Sequence, residues 1–239
     1  MIEQHHLYLE DTYRFTVTTA VVDAGDAGDG PWLALAENVF HPQGGGQPAD
    51  TGTVDGVPVR PYKATGTGAP PGARAAHVVR LGHPGDRNFA PGELVTAAVD
   101  RTARLRHAAL HTCGHVVDGF VRQAGYRHRV SNHFPGQARI EFDAGDGPRP
   151  DLARLAAEVE ERTRQAIDAG LRVGAEQRDG RRLVTVAGLP ADPCGGTHVT
   201  SLDRLTGFAL RSVKVKGGVL KVGYRVEHKA GHMAGQKED

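Results

Sequence analysis

Two short clusters of metal-type ligands constrain the fold more than any other feature, because they lie far apart in the sequence. They are HTCGH at 111–115 and CGGTH at 194–198. Each cluster offers two ligands four positions apart, and together they supply three imidazoles and one thiolate, which are donors that Zn²⁺ prefers. We therefore predict a fold that brings both clusters to one zinc ion per chain. The predicted ligands are His111, His115, Cys194 and His198.

The first ligand pair lies on a predicted helix that starts near Asp100 and ends at Gly125. Side chains four positions apart share one face of a helix, so His111 and His115 can reach the same ion. His107 lies about 12 Å along the helix from His115, so it is expected to neighbour the site rather than share the ion with that residue. Cys113 points to another side and is expected to be a buried thiol. The second pair lies in a segment too rich in Gly and Pro for a helix, which predicts a turn.

Composition restricts the class of protein. The chain has 239 residues, a net charge of +1 and only two cysteines. Its N-terminus lacks the pattern of a secretory signal and there is no apolar run long enough to span a membrane. Two cysteines do not make a disulfide framework, which favours a reducing compartment such as the cytoplasm. The lack of a long apolar run predicts no membrane association. Because the net charge is near zero, any contact with nucleic acid must be local.

The pattern predicts an α+β protein with two domains. Residues 1–99 contain short β-like runs separated by turn signals, typical of a small β-barrel. Residues 100–229 predict a mixed α/β domain that holds the zinc, with a second helix at 151–169. The polar, Gly-rich residues 230–239 are expected to be a disordered tail.

The C-terminal stretch predicts a basic hairpin. Apolar and polar residues alternate on both sides of Gly217-Gly218, which is typical of two strands joined by a tight turn. Lys214, Lys216, Lys221 and Arg225 would then share one face. This face is either a solvated surface or a contact for nucleic-acid phosphates.

Four motifs together resemble a known family. They are FHPQGGGQPADTG at 40–52, HTCGH at 111–115, HFP at 133–135 with RIEF at 139–142, and CGGTH at 194–198. In this order they resemble the editing domain of alanyl-tRNA synthetase and the freestanding alanyl-tRNA editing proteins of the AlaX family. The resemblance implies the same four zinc ligands, an N-terminal barrel, and hydrolysis of the aminoacyl ester of tRNA(Ala) mischarged with serine or glycine. No obligate protein partner is inferred.

The residues around the ligands constrain the chemistry. A helical zinc protease has Glu directly after the first His, whereas this chain has Thr112, so peptide hydrolysis is disfavoured. Thr112 and Thr197 are assigned catalytic roles, because a hydroxyl beside the metal can bond the serine side chain; back-bonding within the helix is the alternative for Thr112. Further candidates for substrate binding are Gln47, His133 at the rim of the site, Gly195, Gly196, Lys214 and Lys216. Glu141 is a candidate to hold one of the metal ligands, although alternation alone leaves open which face of its strand it occupies.

Two other functions remain open at this level. An editing-like zinc enzyme could hydrolyse or transfer an aminoacyl group on a small metabolite, which would need the same zinc site without an RNA surface. Alternatively, four protein ligands are typical of a structural zinc, and the protein would then bind RNA without catalysis. Binding to tRNA separates the first alternative from editing, and deacylation separates the second from both.

Overall fold

A computed structural model describes residues 4–26, 28, 30–64, 78–85, 87–144, 151–186 and 188–229. The chain forms two compact units, Met1–Leu105 and Arg106–Asp239. The predicted tail at 230–239 and the Gly/Pro-rich stretch at 66–72, which carries a turn signal, lie outside the described residues. No helix in the described ranges is long and apolar enough to cross a membrane.

The first unit is built around a closed barrel of six strands. Two further short strands pair with each other in parallel. The eight strands are β1 (His5–His6), β2 (Thr16–Asp26), β3 (Pro31–Leu35), β4 (Glu37–Asn38), β5 (Gly52–Val54), β6 (Val57–Lys63), β7 (Val79–Gly82) and β8 (Leu94–Val99). The barrel order is β2-β3-β7-β6-β5-β8. The predicted barrel is therefore confirmed.

Alternating side chains fill the barrel. Val17, Val21, Leu33, Leu81 and Ala97 are buried in its interior, as expected for strands whose successive residues face opposite sides. The turn at Asp55-Gly56 joins β5 to β6. Both turn residues have positive φ, of 46° and 81°. Such a turn joins two antiparallel strands tightly.

The second unit combines two helices with two antiparallel sheets. Helix α1 (Arg101–Gln123) leads into this unit, and α2 (Leu152–Asp168) begins at the N-cap Asp151, whose side chain accepts a hydrogen bond from Arg154 N–H. The strands are β9 (Arg127–Asn132), β10 (Arg139–Asp143), β11 (Val173–Arg178), β12 (Arg181–Val186), β13 (Asp192–Pro193), β14 (Leu205–Lys216) and β15 (Val219–His228). One sheet has the order β14-β15-β10-β9 and the other β11-β12-β13.

The core of the second unit is formed by one face of α1, one face of the four-stranded sheet and the apolar stripe of α2. Val117 from α1, Ile140 and Val222 from the sheet, and Val159 from α2 belong to one buried cluster. The predicted hairpin is present: Gly217 and Gly218 both have positive φ and connect β14 to β15. The described residues are thus mostly β with two α-helices, and the packed core fixes the face of α1 that bears the histidines.

Candidate metal centre

The four predicted ligands converge. One ligand atom from each of His111, His115, Cys194 and His198 lies within 4.8 Å of the others, although the two pairs come from different parts of the chain. This cluster could hold one metal ion.

Helix α1 presents the first pair in parallel. The rings of His111 and His115 are stacked with centroids 5.2 Å apart and an angle of 20° between their planes. This is the arrangement expected of side chains four residues apart on one helical face. His111 is buried, whereas the side chain of His115 remains 17% exposed.

The turn that carries the second pair is fixed to strand β12. Arg182 donates from Nη1 to the carbonyl oxygens of Cys194 and Gly196, at 2.9 and 3.0 Å, and accepts from Cys194 N–H at 3.0 Å through its own carbonyl. The N–H of Gly196 also lies 3.4 Å from Cys194 Sγ. The turn is therefore held in place although it is rich in glycine.

The distances between ligand atoms fit a tetrahedral zinc site. Cys194 Sγ lies 3.4 Å from His111 Nε2 and 3.2 Å from His198 Nε2. With zinc–nitrogen and zinc–sulfur bonds of about 2.0–2.3 Å, neighbouring ligand atoms of a tetrahedron are about 3.3–3.6 Å apart. The donor set and its spacing both suit Zn²⁺.

Charges around the cluster favour the thiolate form of Cys194. Burial raises the pKa of this thiol, but the hydrogen bond and charge of His115 bring it below its ordinary value. Burial lowers the pKa of His115, yet Asp192 and Cys194 raise it to about 9. Asp192 Oδ2 lies 3.8 Å from His115 Nδ1, and both Asp192 oxygens accept from Arg122 at 2.9 Å. A carboxylate behind a ligating imidazole is a common arrangement at zinc sites.

Thr112 lies behind His198 rather than in an open site. Its side chain is fully buried, and its hydroxyl is 3.2 Å from His198 Nδ1 and accepts from Val199 N–H at 3.1 Å. A hydroxyl with these partners is suited to orienting the His198 ring, so direct contact with a serine substrate stays only a prediction. Thr197 is also fully buried.

His133 is a deeply buried neighbour of the cluster, so the predicted rim position is wrong. It is only 3% exposed, and its ring stacks on His111 with a centroid distance of 4.6 Å. Its Nδ1 lies 2.6 Å from the hydroxyl of Tyr224, which donates to Leu110 O at 2.9 Å. Burial, together with the charges of His115 and His128, lowers the pKa of His133 to about 3. His133 is therefore neutral and supports the ring of a ligand.

Gly114 makes this contact possible. A Cβ on Gly114 would lie 2.3 Å from His133 Cε1 and 2.7 Å from the Tyr224 hydroxyl, far inside normal contact distance. The glycine in HTCGH therefore lets the ring of His133 and the side chain of Tyr224 approach the backbone of α1.

The other candidate residues differ in burial and in the elements that carry them. Gln47 is buried in the first unit, where it pairs with Gly44 through two backbone hydrogen bonds. Gly195 is exposed beside the cluster, and Gly196 is buried. Lys214 and Lys216 are exposed on β14. Cys113 is fully buried in the core, and burial raises its pKa.

Glu141 is not a partner of the metal ligands. It accepts hydrogen bonds from Lys221 at 2.9 Å and Arg139 at 3.0 Å. It faces Lys221 across the β10–β15 pair, on the same side of the sheet as Lys214. The expectation that Glu141 supports the metal is therefore wrong. Its carboxylate instead pairs with Lys221, one of the predicted basic positions of the hairpin.

Three residues take part in the site although no motif in the sequence marks them: Asp192, Arg182 and Tyr224. Asp192 lies two residues before Cys194, and an acidic residue beside a ligand motif is a weak signal that could have raised it. Arg182 and Tyr224 come from strands whose pairing is visible only in the folded chain.

Comparison with known proteins agrees with the motifs. No known protein-family profile matches the chain. It is 25% identical to a protein named alanyl-tRNA editing protein AlaX-M from Methanosarcina mazei, over 88% of this chain and 91% of that protein. It is 27% identical to an alanine–tRNA ligase from Halobacterium salinarum, over 99% of this chain but only 28% of the ligase. An alanine–tRNA ligase from Alkaliphilus oremlandii is 28% identical over 84% of this chain and 25% of the ligase.

The chain thus matches nearly the whole of a freestanding editing protein and about a quarter of each ligase. The resemblance to the freestanding alanyl-tRNA editing proteins, which the four motifs predict, is confirmed over most of the chain.

Proposed function

We propose that this protein is a zinc-dependent deacylase that hydrolyses the aminoacyl ester of tRNA(Ala) mischarged with serine or glycine. The observation that carries the proposal is the convergence of three imidazoles and one thiolate on a single point. The names of the similar proteins supply the substrate class. They favour neither a small-metabolite substrate nor an RNA-binding protein without activity. The cytoplasmic location inferred from the sequence stays a prediction.

Zinc at this cluster would polarise the ester carbonyl and lower the pKa of a bound water to about 7. His111, His115, Cys194 and His198 would hold the ion. Thr112 fixes the ring of His198, Asp192 faces His115, and Arg182 fixes the turn of Cys194. The position that holds the glutamate in a helical zinc protease, directly after the first histidine, is occupied here by the buried Thr112. An activated aminoacyl ester suits such a site better than a peptide.

The exposed part of the cluster indicates where the ester would enter. His111 and His198 are buried, whereas His115 and Cys194 are only partly covered. Gly195 is exposed, and a Cβ built on it would meet nothing within 4 Å. The ester would therefore approach along Gly195, where a substrate can come close to the backbone.

Four protein ligands are typical of closed structural zinc sites, so catalysis requires a further coordination position. A loosely held Gly-rich turn is a poor explanation, because Arg182 and Thr112 fix both ends of that turn. A substrate atom that joins the ion would have to enter on the side of Gly195, where the protein leaves the cluster open.

The basic hairpin would supply contacts to the tRNA backbone. Lys214 and Lys216 are exposed, and neither has an ion-pair partner among the described residues. Lys221 is paired with Glu141, so we assign phosphate contacts to Lys214 and Lys216 rather than to Lys221. Each phosphate contact should make tRNA binding weaker as salt rises.

Deacylation of Ser-, Gly- and Ala-tRNA(Ala) by the zinc-loaded protein tests the proposal. Ser- or Gly-tRNA(Ala) should be cleaved faster than Ala-tRNA(Ala), and a chelator should abolish turnover. The Lys214→Ser/Lys216→Ser variant should bind tRNA with a log–log salt slope smaller by about 1–2, since each lost contact removes about 0.7–0.9. It should still cleave a minimal seryl-adenosine ester. Cleavage of the small ester without any detectable tRNA binding by the unmodified protein would contradict the editing function.

A further inference from the structure

The outer face of the barrel in the first unit carries an exposed aromatic ring between cations. Along β6, Val59 and Pro61 are buried, whereas Arg60 and Tyr62 point outward. The ring of Tyr62 is 38% exposed, which makes it one of three large hydrophobic side chains so exposed in the described residues. Neither Arg60 nor Tyr62 takes part in the metal centre.

The neighbouring strands place further planar groups beside this ring. Tyr62 lies opposite Arg80 of β7, and the guanidinium of Arg80 lies 3.7 Å from the centroid of the Trp32 ring on β3. The Nε of Arg80 and the Nε1 of Trp32 are buried without a hydrogen-bond partner in the described part of the chain. Gly82 lies opposite Arg60, and a Cβ on it would come within 3.6 Å of the Tyr62 ring. The Tyr62 ring, the Arg80 guanidinium and the Trp32 ring therefore lie beside one another on this face.

Two adjoining grooves flank the ring. One, of about 440 Å³, runs between β6 and the glycine-rich segment, and the other, of about 710 Å³, runs toward Gly82 and Pro84. Both are lined by Thr51, Arg60 and Tyr62, so the ring and its neighbouring cation form the ridge between them.

The charge of the grooves is positive. Arg60 and Lys63 line the first groove, are exposed, and have no ion-pair partner among the residues described. The acidic residue that lines the same groove is Asp50, and its carboxylate is bound by Arg104. An exposed aromatic ring beside uncompensated cations is the combination that binds unpaired nucleotides, through base stacking and phosphate contacts.

We propose that this face of the barrel binds single-stranded RNA. A base stacks on Tyr62, the flanking phosphodiesters contact Arg60 and Lys63, and the adjoining grooves take successive nucleotides. The proposal goes beyond ester hydrolysis, because it concerns a surface of the first unit and its test involves no deacylation.

The single tryptophan of the chain, Trp32, reports on this surface. Short single-stranded oligoadenylate and oligouridylate should change its fluorescence in the full-length protein, since they bind beside Arg80, which covers the indole. Loss of one stacked base costs about 1–3 kcal/mol, so Tyr62→Ala should weaken binding about 5- to 150-fold. Tyr62→Phe keeps the ring and should restore binding. The Arg60→Ser/Lys63→Ser variant should lower the salt slope by about 0.7 per lost contact.

The Arg154→Ser/Arg181→Ser variant is the matched control, because it removes two exposed cations of α2 and β12, neither of which is assigned to zinc or tRNA binding. It should leave the oligonucleotide-dependent change of Trp32 fluorescence intact. A duplex RNA of the same length should give a smaller change, because its bases are not free to stack. Unchanged Trp32 fluorescence with saturating single-stranded RNA, or equal affinities of Tyr62→Ala and the unmodified protein, would overturn the proposal. Equal responses to single- and double-stranded RNA would do the same, since binding by charge alone would then explain them.

Discussion

Each unit of this protein buries a group of polar side chains. The two groups differ in how far charges and hydrogen bonds within the group are matched. In the first unit, Arg104 is fully buried and donates from Nε to both carboxylate oxygens of Asp50, at 3.0 and 3.1 Å. Its Nη1 donates to Thr12 O at 3.1 Å. Charge and hydrogen bonds are thus balanced between the partners, so this group needs no ligand.

The cluster in the second unit is not balanced in this way. Its thiol sulfur faces the Nε2 atoms of His111 and His198, so that lone pairs of three groups meet at one point. Such atoms need a proton or a cation between them. The comparison teaches that a buried polar group with internal partners stabilises a fold, whereas converging lone pairs indicate a site for a ligand.

The largest expected effect is on the unbalanced cluster. Cys194→Ala should lower the zinc content from about one ion per chain to near zero, because the remaining three imidazoles lose the thiolate that binds zinc most strongly. Cys113→Ala is the control, since this thiol is buried in the core and should leave the zinc content unchanged. Metal analysis after dialysis measures both. Full zinc occupancy in Cys194→Ala would show that the sulfur is not a ligand.

A change in the buried pair of Arg104 and Asp50 should alter the stability of the protein rather than its zinc content. Asp50→Asn leaves the charge of Arg104 buried without its partner, so we expect a loss of about 3–5 kcal/mol in the free energy of unfolding. Asp55→Asn is the matched control, because Asp55 pairs with Arg87 at the surface and such a pair contributes about 0–1 kcal/mol. Urea unfolding followed by Trp32 fluorescence measures both variants. Equal stabilities of the two variants would contradict the distinction between the buried and the exposed pair.

A pH titration sharpens the comparison, because His41 is buried beside the balanced pair. Burial lowers the pKa of His41 from 6.5 to about 4, while the charge of Asp50 opposes this shift and the charge of Arg104 adds to it. The unfolded state therefore binds a proton below pH 6.5 that the folded state does not bind until about pH 4. Stability should fall as the pH falls through this window, by up to about 3 kcal/mol.

The change is measured as the difference in unfolding free energy between pH 7 and pH 4.5. In His41→Phe, which cannot titrate, this difference should be smaller than in the unmodified protein. The same pH dependence in both proteins would rule His41 out as its source.

The smallest effect is expected behind the metal ligands. Thr112→Val removes the hydroxyl that holds His198 and should weaken zinc binding about 10- to 100-fold, the usual effect of losing a partner of a metal ligand. Thr112→Ser retains the hydroxyl and should bind zinc nearly normally. Competition with a chromogenic chelator gives the affinities. A normal zinc affinity combined with slower cleavage of Ser-tRNA(Ala) alone would instead favour the role in serine recognition.

The sequence predicts the ligands well because their signals are local. The spacing of His111 and His115 fits one helical face, and the glycines around Cys194 predict a turn. The barrel and the hairpin follow from alternation and turn residues in the same way.

The residues around the ligands could not be predicted, because long-range pairing sets their positions. Asp192, Arg182 and Tyr224 reach the cluster through a sheet edge, a hairpin and the packing of β15 on α1. His133 was expected at the rim, and its burial depends on a contact with α1 that only Gly114 allows. Contacts between residues far apart in the chain produce no periodic pattern in the sequence.

Gly114 also bears on the order in which the protein folds. Helix α1 contains a second interior glycine, Gly119, whose Cβ would lie 2.9 Å from Leu189. Each glycine weakens a helix by about 1 kcal/mol relative to alanine, so α1 is a poor helix until the strands and loops that need these gaps are packed against it. His111 and His115 are thus held one turn apart only after much of the second unit has formed. Metal capture should therefore be a late event that completes the fold, rather than the nucleus from which the fold grows.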